Sequence, residues 1–298
     1  MAALVPVHRP LDVKGAVLAL VLAVLWGANP VAIKLGLADV APVRMAFFRF
    51  AVSAIVIFGY AVVTGRRDVL LIPRGQGKPI WSLGLLCVVQ IALMNVGIDR
   101  TTAAHAVIMV NSYAVHTVVF AHFLLPGDRL TARKLVGVLI AYSGVVILFA
   151  PGFTGTEGTL VGDLIISVSA LVLAERTIFI AKTVQRVDPV RLMMYQSIIG
   201  AAGLLLMSLM WDVDRPTRWT ASLFLSILYQ GALIGGFNFV LNAKLLRIYQ
   251  PSAMATVALS TPIWGVLIAA VIAHEGLSPE LLLASALVAT GIGLTTWR

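Results

Sequence analysis

The tripeptide Pro42-Val43-Arg44 recurs as Pro189-Val190-Arg191, 147 residues later in a chain of 298 residues. The same offset aligns further positions, namely Gly15 with Gly162, Phe48 with Tyr195, Leu130-Thr131 with Leu277-Ser278, and Gly144 with Gly291. The repeat is longer than the roughly 20 to 50 residues of a solenoid unit. The sequence therefore predicts one unit that occurs twice, in residues 1–152 and in residues 153–298.

The composition is that of a membrane protein. Hydrophobic residues make up 60% of the chain and charged residues 12%, with a mean hydropathy of +0.98, whereas soluble domains carry about 25% charged residues. A transmembrane helix needs about 20 predominantly apolar residues. Ten such stretches follow one another, at approximately 13–35, 43–64, 80–98, 101–125, 133–150, 160–182, 190–211, 220–243, 251–273 and 281–297. The fold class predicted is an all-α integral membrane protein.

Each copy of the repeat contains five of these stretches, which is an odd number. The second copy must therefore enter the membrane from the side opposite to the first. Inverted repeats of this kind form the two halves of many secondary transporters, with the substrate site between them. We expect two inverted five-helix repeats around a central cavity.

Lysine and arginine mark the sides of the membrane. With a cytoplasmic N-terminus, fifteen fall on the cytoplasmic side, namely Arg9, Lys14, Arg66, Arg67, Arg74, Lys78, Arg129, Arg133, Lys134, Lys182, Arg186, Arg191, Lys244, Arg247 and Arg298. Five fall outside, namely Lys34, Arg44, Arg100, Arg215 and Arg218. This positive-inside bias predicts that both termini are cytoplasmic. It also accounts for the net charge of +9 without a nucleic-acid partner.

The stretch Leu25-Trp26-Gly27-Ala28-Asn29-Pro30-Val31-Ala32-Ile33-Lys34 resembles the first-helix signature of the drug/metabolite transporter superfamily, EamA type. In that signature a Trp-Gly pair precedes an apolar run that ends in lysine. In the second copy Leu173 aligns with Trp26, so the signature is present in the first copy only.

Further stretches resemble the same family in register. Pro42 with Arg49 matches the second-helix pattern, and Gly162-Asp163-Leu164 matches the start of helix six. The junction of helices four and five is matched by Gly127-Asp128-Arg129-Leu130-Thr131 with Gly137 and Gly144, and again by Glu275-Gly276-Leu277-Ser278 with Gly291. Asp128 stands where the family usually has glutamate.

The resemblance implies a ten-helix carrier in the bacterial inner membrane that exports small metabolites, often amino acids. Overall the chain is most similar to bacterial amino-acid exporters, including the aromatic amino-acid exporters of the YddG type. We expect a zwitterionic substrate, the lipid bilayer as surroundings, no cofactor and no metal, and the chain is compatible with a monomer. A Walker loop is absent from the sequence, so ATP is not the direct energy source.

Two alternatives stay open at this point. One is a membrane-embedded enzyme of lipid or isoprenoid metabolism, which would need clustered carboxylates for a metal or a nucleophile beside a base. Asp and Glu total only 13, and almost all stand at loop edges. The other is a carrier of another metabolite class, such as nucleotide sugars.

Polar residues inside the spans are the candidates for the substrate pathway, because in hydrocarbon they must face protein, water or substrate. In span one, Trp26 and Asn29 share a side with Pro30, which removes a backbone donor and predicts a kink. Gln90 and Asn95 in span three are candidates of the same kind. In span four, His105, Ser112 and His116 lie on one helical face; they line a wet wall or bond to neighbouring helices.

Spans eight and nine add further candidates. Asn238 and Asn242 lie a turn apart, after Tyr229 and the candidate hinge Gly235-Gly236; the two amides bind the substrate head group or bridge helices. Thr256, Ser260 and Trp264 follow at intervals of four with the candidate hinge Pro262 among them. Small hydroxyl residues at that spacing are also typical of a close-packed helix face.

Glu175 and Arg176 are an acid and a base well inside span six. Adjacent residues point about 100° apart on a helix, so we do not expect them to pair with each other. They hold the ionic groups of the substrate or form structural ion pairs with other partners. Arg49, near the outer end of span two, is predicted to be structural and to reach the interface. The candidate pathway thus suits a small zwitterion with an apolar side chain better than a strongly anionic substrate, which would need several converging cations.

Overall fold

The computed structural model describes residues 8–100, 109–110, 112–125, 127, 129–149, 160–261, 263–265 and 279–296. Helices account for most of this part of the chain. In order they are α1 Val13–Gly27, α2 Asn29–Leu37, α3 Pro42–Val63, α4 Gly77–Asp99, α5 Tyr113–Leu124, α6 Ala132–Phe149, α7 Leu160–Thr183, α8 Pro189–Trp211, α9 Ala221–Leu228, a π-helix Tyr229–Asn238, α10 Phe239–Leu246, α11 Pro251–Ala258 and α12 Pro279–Thr296. A short 3₁₀ turn, Arg67–Leu70, follows α3.

The helices confirm the predicted spans where the chain is described. Five of them are long and apolar enough to cross a membrane, namely Pro42–Val63, Gly77–Asp99, Val161–Thr183, Pro189–Trp211 and Ala221–Leu246. At 22 to 26 residues and about 1.5 Å per residue, each exceeds the roughly 30 Å of a hydrocarbon core. Parts of the predicted spans 101–125 and 251–273 lie outside the described residues.

The repeat-related helices α3 and α8 cross near the middle of the protein. Ser53 and Ser197 share a hydrogen bond of 2.9 Å across this crossing, and both side chains are buried. Gly200, which is 147 residues after Ser53, lies against the ring of Phe50, and a Cβ at Gly200 would lie 2.9 Å from that ring. Phe50 is in turn 147 residues before Ser197. The two contacts are therefore equivalent under exchange of the repeats.

The flanking helices follow the same pseudo-two-fold relation. A Cβ at Gly84 in α4 would lie 2.6 Å from Ile199 of α8, and one at Gly231 in the π-helix would lie 2.5 Å from Val52 of α3. The two glycines, and likewise Val52 and Ile199, are 147 residues apart. Such small residues let helix backbones approach closely in membranes. The contacts show two structurally equivalent halves.

The last helix of each repeat also packs on its counterpart, since α6 contacts α12. Here a Cβ at Gly291 would lie 2.5 Å from the carbonyl oxygen of Gly137 and 2.7 Å from the Cβ of Ala141. No side chain fits there without moving the backbone. This explains why position 291 holds a glycine.

Polar contacts sort the loops into two groups at opposite ends of the bundle. At one end, the guanidinium of Arg44 bonds to the carbonyl oxygen of Asp212 at 2.7 Å, and Arg215 pairs with Asp99 at 3.2 Å. At the other end, Arg66 pairs with Asp188 at 2.7 Å. The second group contains the loop that follows α3 and the loop that precedes α8. Where the loops are described, they therefore alternate between the ends, as a multi-pass bundle requires.

The N-terminal residues join the second group of loops. Arg9 pairs with the segment after α10, its amide donating to the carbonyl of Ile248 and its carbonyl accepting from Gln250, each at 3.0 Å. Asp12 caps α1 through the amide of Gly15 at 2.7 Å and accepts a bond from the Tyr249 hydroxyl at 2.7 Å. The beginning of the first repeat is thus tied to the second repeat.

Two membrane helices are interrupted. The first span breaks at Ala28 into α1 and α2, two residues before Pro30, as a proline within a helix predicts. The eighth span contains a ten-residue π-helix, Tyr229–Asn238, between α9 and α10. Such π segments are rare and are frequent at functional sites. These interruptions lie next to each other, because α1 and α2 both pack against the π-helix.

Candidate functional site

The broken first span and the π-helix are joined by side chains that bond to backbone carbonyls. The Tyr229 hydroxyl donates to the carbonyl of Leu25, and the Asn238 amide nitrogen donates to the carbonyl of Leu22 at 3.3 Å. Asn29 and Asn238 each keep a buried amide oxygen with no hydrogen-bond partner among the described residues. Two of the predicted amides thus present unused acceptors inside the membrane.

A second set of polar side chains surrounds Arg176. Together with Arg49 these side chains form the central polar cluster, which consists of Arg49, Gln90, Ser169, Arg176 and Gln196. Arg176 donates to the Oε1 atoms of Gln90 at 2.7 Å and of Gln196 at 3.4 Å. Gln90 donates in turn to Ser169 at 3.2 Å, and the Ser169 hydroxyl donates to the Gln90 carbonyl at 2.9 Å. All five residues are buried. Helices α3, α4, α7 and α8 therefore meet at a polar interior.

The placement of Arg49 corrects the sequence-based prediction. Arg49 is only 3% exposed, so it does not reach the interface. Its guanidinium carbon lies 5.3 Å from the ring centre of Phe50 and 5.7 Å from that of Phe239. Its Nε atom is buried without a hydrogen-bond partner in the described part of the chain. Helix α3 turns this residue inward, onto the helices of the other repeat.

Phe239, at the first turn of α10, lies between the broken first span and the central polar cluster. Its ring centre lies 6.4 Å from that of Trp26 and 6.2 Å from that of Phe50. Arg49 and Arg176 both approach this ring, at 5.7 Å and 5.3 Å from its centre. The interior therefore combines an aromatic surface with two guanidinium groups.

Glu175 lies apart from this interior. The sequence left open whether it binds the substrate or forms a structural ion pair, but its side chain is exposed, on the same stripe of α7 as the exposed Leu164, Val168 and Leu171. Positions separated by three or four residues share a helix face, so this stripe faces the lipid. Arg176, one residue further, faces the interior. As expected, Glu175 and Arg176 form no salt bridge with each other.

Candidates in spans four and nine bond mainly within their own helices. Ser112 donates to the carbonyl of Met109, Thr256 to that of Ser252, and Ser260 to that of Val257. The Trp264 indole donates to the Ser260 hydroxyl at 3.2 Å.

The remaining span-four and span-nine candidates are His116, His105 and Pro262. His116 is half-buried, and its imidazole forms no hydrogen bond with the part of the chain that is described. His105 and Pro262 lie outside the described residues.

The other candidates differ in how deeply they are buried. Asn95 is buried and donates to the carbonyl of Ile91 at 2.9 Å. Gly235 and Gly236 belong to the π-helix and are buried against α3. Asn242, 147 residues after Asn95, is half-buried, with no hydrogen bond from its side chain to the described residues.

Sequence reasoning missed Arg49, Gln196 and Phe239 as interior residues. The repeat itself held a signal, because Arg49 is 147 residues before Gln196, and Asn29 is 147 residues before Arg176. Both pairs are polar at equivalent depths of equivalent helices. Phe239 carries no such signal, because a single phenylalanine in an apolar span is unremarkable.

Comparisons with known proteins agree with this architecture. The model of the EamA-like transporter family matches residues 13–150 and again residues 160–297. A crystal structure superimposes with a TM-score of 0.81 at 20% sequence identity, covering 95% of this chain and 96% of the other. That likeness concerns the fold.

Among curated relatives, an uncharacterized transporter of Bacillus subtilis, YoaV, is 22% identical over 92% of this chain and 93% of its own length. A probable amino-acid metabolite efflux pump of Escherichia coli is 26% identical over 96% of this chain and 97% of its own length. The protein of the same name from Salmonella typhimurium is 27% identical over 94% and 93%. Because both repeats match the family model over nearly their whole length, the chain belongs to the EamA-like transporter family of membrane proteins.

Proposed function

We propose that the protein is a secondary transporter that exports amino acids with aromatic or neutral side chains by alternating access. The observation that carries the proposal is the pair of unpartnered, buried amide oxygens of Asn29 and Asn238 on two adjacent interrupted helices. Carriers bind substrates near the bilayer midplane on discontinuous helices at the interface of their repeats. Asn29 belongs to the first repeat and Asn238 to the second.

The chemistry of these groups suits an amino acid. An ammonium group has three donors and no acceptor, so the two amide oxygens complement it. Trp26 and Phe239, with ring centres 6.4 Å apart, offer an apolar surface for the side chain of the substrate. The printed names of the Escherichia coli and Salmonella typhimurium relatives, amino-acid metabolite efflux pumps, support the same substrate class.

The proposal includes an orientation and a location. The excess of lysine and arginine in one group of loops supports a cytoplasmic position for that group and for both termini. The bacterial relatives support the inner membrane. The functional halves are residues 1–152 and 153–298, and one chain contains both halves of the pathway.

Substrate counterflow in proteoliposomes tests the proposed function. Vesicles preloaded with L-phenylalanine, L-leucine, L-threonine, L-glutamate or a nucleotide sugar are given radiolabelled L-phenylalanine, with and without a pH gradient. We expect exchange with phenylalanine and leucine. Exchange confined to the nucleotide sugar, measured with its own label, would contradict the proposal.

Two variants locate the pathway in the same assay. Asn238→Ala is expected to slow exchange of all accepted amino acids, and Trp26→Ala to slow exchange of phenylalanine more than that of leucine. Thr290→Ala, an exposed threonine whose hydroxyl bonds only within α12, is the control and should exchange at the parent rate. Full exchange by both interior variants would place the pathway elsewhere.

A further inference from the structure

Two guanidinium groups approach the same aromatic ring inside the membrane. The Cζ atoms of Arg49 and Arg176 lie 5.7 Å and 5.3 Å from the centre of the Phe239 ring. The residues are 3% and 5% exposed. Within the described part of the chain, neither forms a salt bridge with a carboxylate.

An uncompensated charge at this depth is costly. Ionisable side chains within membrane spans are rare, and they pair with each other or line a substrate pathway. Contact with an aromatic ring is worth only a small part of the cost of removing a cation from water. Gln90 and Gln196 offer Arg176 neutral oxygens but no negative charge. The two arginines together therefore require an anion that the described residues do not supply.

The donors left unused point to the same kind of ligand. The Nε atom of Arg49 and the Nε2 atom of Gln196 are buried without an acceptor among the described residues. Gln196 accepts from Arg176 through Oε1, so its amide nitrogen is the free end of that network. A carboxylate accepts several hydrogen bonds through two oxygens, and guanidinium groups are well suited to bind it.

We propose that Arg49 and Arg176, assisted by the amide of Gln196, bind the carboxylate group of the transported substrate. The inference rests on the proposed transport function and adds the group that the substrate must carry. Arg49 belongs to the first repeat and Arg176, Gln196 and Phe239 to the second, so the carboxylate site lies between the repeats. A carrier that alternates between two openings keeps its substrate at such a position.

The consequence for substrate choice differs from that drawn from the sequence alone. There, one candidate ion pair was expected in the pathway, and a strongly anionic substrate was disfavoured. With two cations at one ring, the site demands a carboxylate and accepts a zwitterion only in one orientation. The ammonium group then points away from the arginines, and the unpartnered oxygens of Asn29 and Asn238 are its acceptors.

Binding of three probes with one common side chain tests the site. The probes are L-phenylalanine, 3-phenylpropionate, which lacks the ammonium group, and phenethylamine, which lacks the carboxylate. Affinity is measured by isothermal titration calorimetry on the purified protein in detergent. We expect both carboxylates to bind and phenethylamine to bind about 30-fold or more weakly than phenylalanine, because a buried charge would be left unpaired.

Substitutions test whether the two arginines bind the carboxylate group of the probes. Arg49→Gln and Arg176→Gln should each weaken binding of phenylalanine and 3-phenylpropionate by about 30-fold or more and should not weaken binding of phenethylamine. Arg49→Lys and Arg176→Lys keep the charge and should retain part of the affinity. Arg100→Gln, at an exposed position after α4, is the matched control and should bind all three probes as the parent does.

The outcomes separate the carboxylate site from the transport proposal. Equal affinity of the parent for phenylalanine and phenethylamine would overturn the site, even if the glutamine variants fail to fold. Arg-dependent binding of chloride without binding of either organic carboxylate would also overturn it, since the site would then hold an inorganic anion. Arg-dependent binding of 3-phenylpropionate but not of phenylalanine would support the carboxylate site and contradict the amino-acid proposal.

Discussion

Arg44 and Arg191 make the same hydrogen bond at opposite ends of one helix pair. The Nη1 atom of Arg44 lies 2.8 Å from the carbonyl oxygen of Arg215, and the Nη2 atom of Arg191 lies 2.5 Å from that of Asp68. The two arginines are 147 residues apart, and so are the two acceptors. Each arginine therefore ties the start of its own helix to the end of the repeat-related helix. An inverted repeat requires this reciprocity.

The Arg44 contact should stabilise the protein measurably. Its guanidinium also bonds to the carbonyl oxygen of Asp212 at 2.7 Å and to the Thr217 hydroxyl at 3.2 Å. Hydrogen bonds that involve a charged group contribute about 1.5 to 3 kcal/mol each, and less where water competes. We expect Arg44→Ala to lower the free energy of unfolding by roughly 2 kcal/mol, measured by thermal unfolding in detergent. Arg100→Ala, an exposed arginine at the same end, should have little effect, and equal loss in both variants would contradict the anchoring role.

The ion pair between Asp188 and Arg66 makes stability depend on pH. Burial alone would raise the pKa of Asp188, but the guanidinium of Arg66 at 2.7 Å and the amides of Val190 and Arg191 outweigh it and hold the pKa below its ordinary value. A carboxylate with a lowered pKa stabilises the folded state above its unfolded pKa, and this contribution is lost as the pH falls through the folded pKa.

Asp188→Asn should therefore unfold at a lower temperature than the parent at pH 7. The difference should narrow as the pH falls below about 4, where aspartate becomes protonated in unfolded chains. Asparagine is also a good helix N-cap, so the variant keeps the cap of α8 and isolates the charge. Asp214→Asn, on an exposed loop, is the control. A difference that is constant from pH 7 to the acid range would refute the assignment.

Gly27 allows the first span to touch the ninth. A Cβ at Gly27 would lie 2.8 Å from the amide nitrogen of Gly265 and 2.8 Å from the carbonyl oxygen of Thr261. These are backbone atoms, so the helices themselves would have to separate. Overpacking of this kind costs about 1 to 3 kcal/mol, and we expect Gly27→Ala to lower thermal stability and transport together. Gly59→Ala, where a Cβ meets nothing within 4 Å, should be neutral.

The proposed orientation predicts which loops react with impermeant thiol reagents. Arg74 and Asp214 are exposed residues in the two opposite groups of loops. In a Cys87→Ala background, Arg74→Cys should be labelled only after the cells are opened, and Asp214→Cys should be labelled in intact cells. The reverse pattern would invert the orientation while leaving the fold intact. Labelling of both positions in intact cells would contradict the alternation of the loops.

Glu175 should be dispensable for transport, because it lies on the lipid-facing stripe of α7. We expect Glu175→Gln to retain counterflow, and accumulation driven by a pH gradient, within about twofold of the parent, as is usual for substitutions away from a site. Arg176→Gln, one residue further but facing the interior, should lose both. A Glu175→Gln protein that keeps counterflow but loses gradient-driven accumulation would show that this carboxylate carries the proton.

The sequence predicted some of the polar residues that lie in the interior. Gln90, Arg176 and Asn238 were expected inside and are buried, because a polar group in a membrane span has few other places to go. Glu175 and Arg49 were misplaced because the outcome depends on how far each helix is rotated about its axis. That rotation is set by packing between helices, such as Gly231 against Val52, and not by the helix in isolation.

The sequence by itself determined the number, position and order of the spans and the presence of two inverted repeats. Membrane insertion is a property of each segment, since about 20 apolar residues must satisfy their backbone hydrogen bonds internally as a helix. Only the tertiary structure decided that Arg49 and Arg176 meet at Phe239, and that the π-helix lies beside the break at Ala28. Arg49 and Phe239, like Ala28 and the π-helix, belong to different repeats, and close packing between the repeats, which no single segment encodes, brings them together.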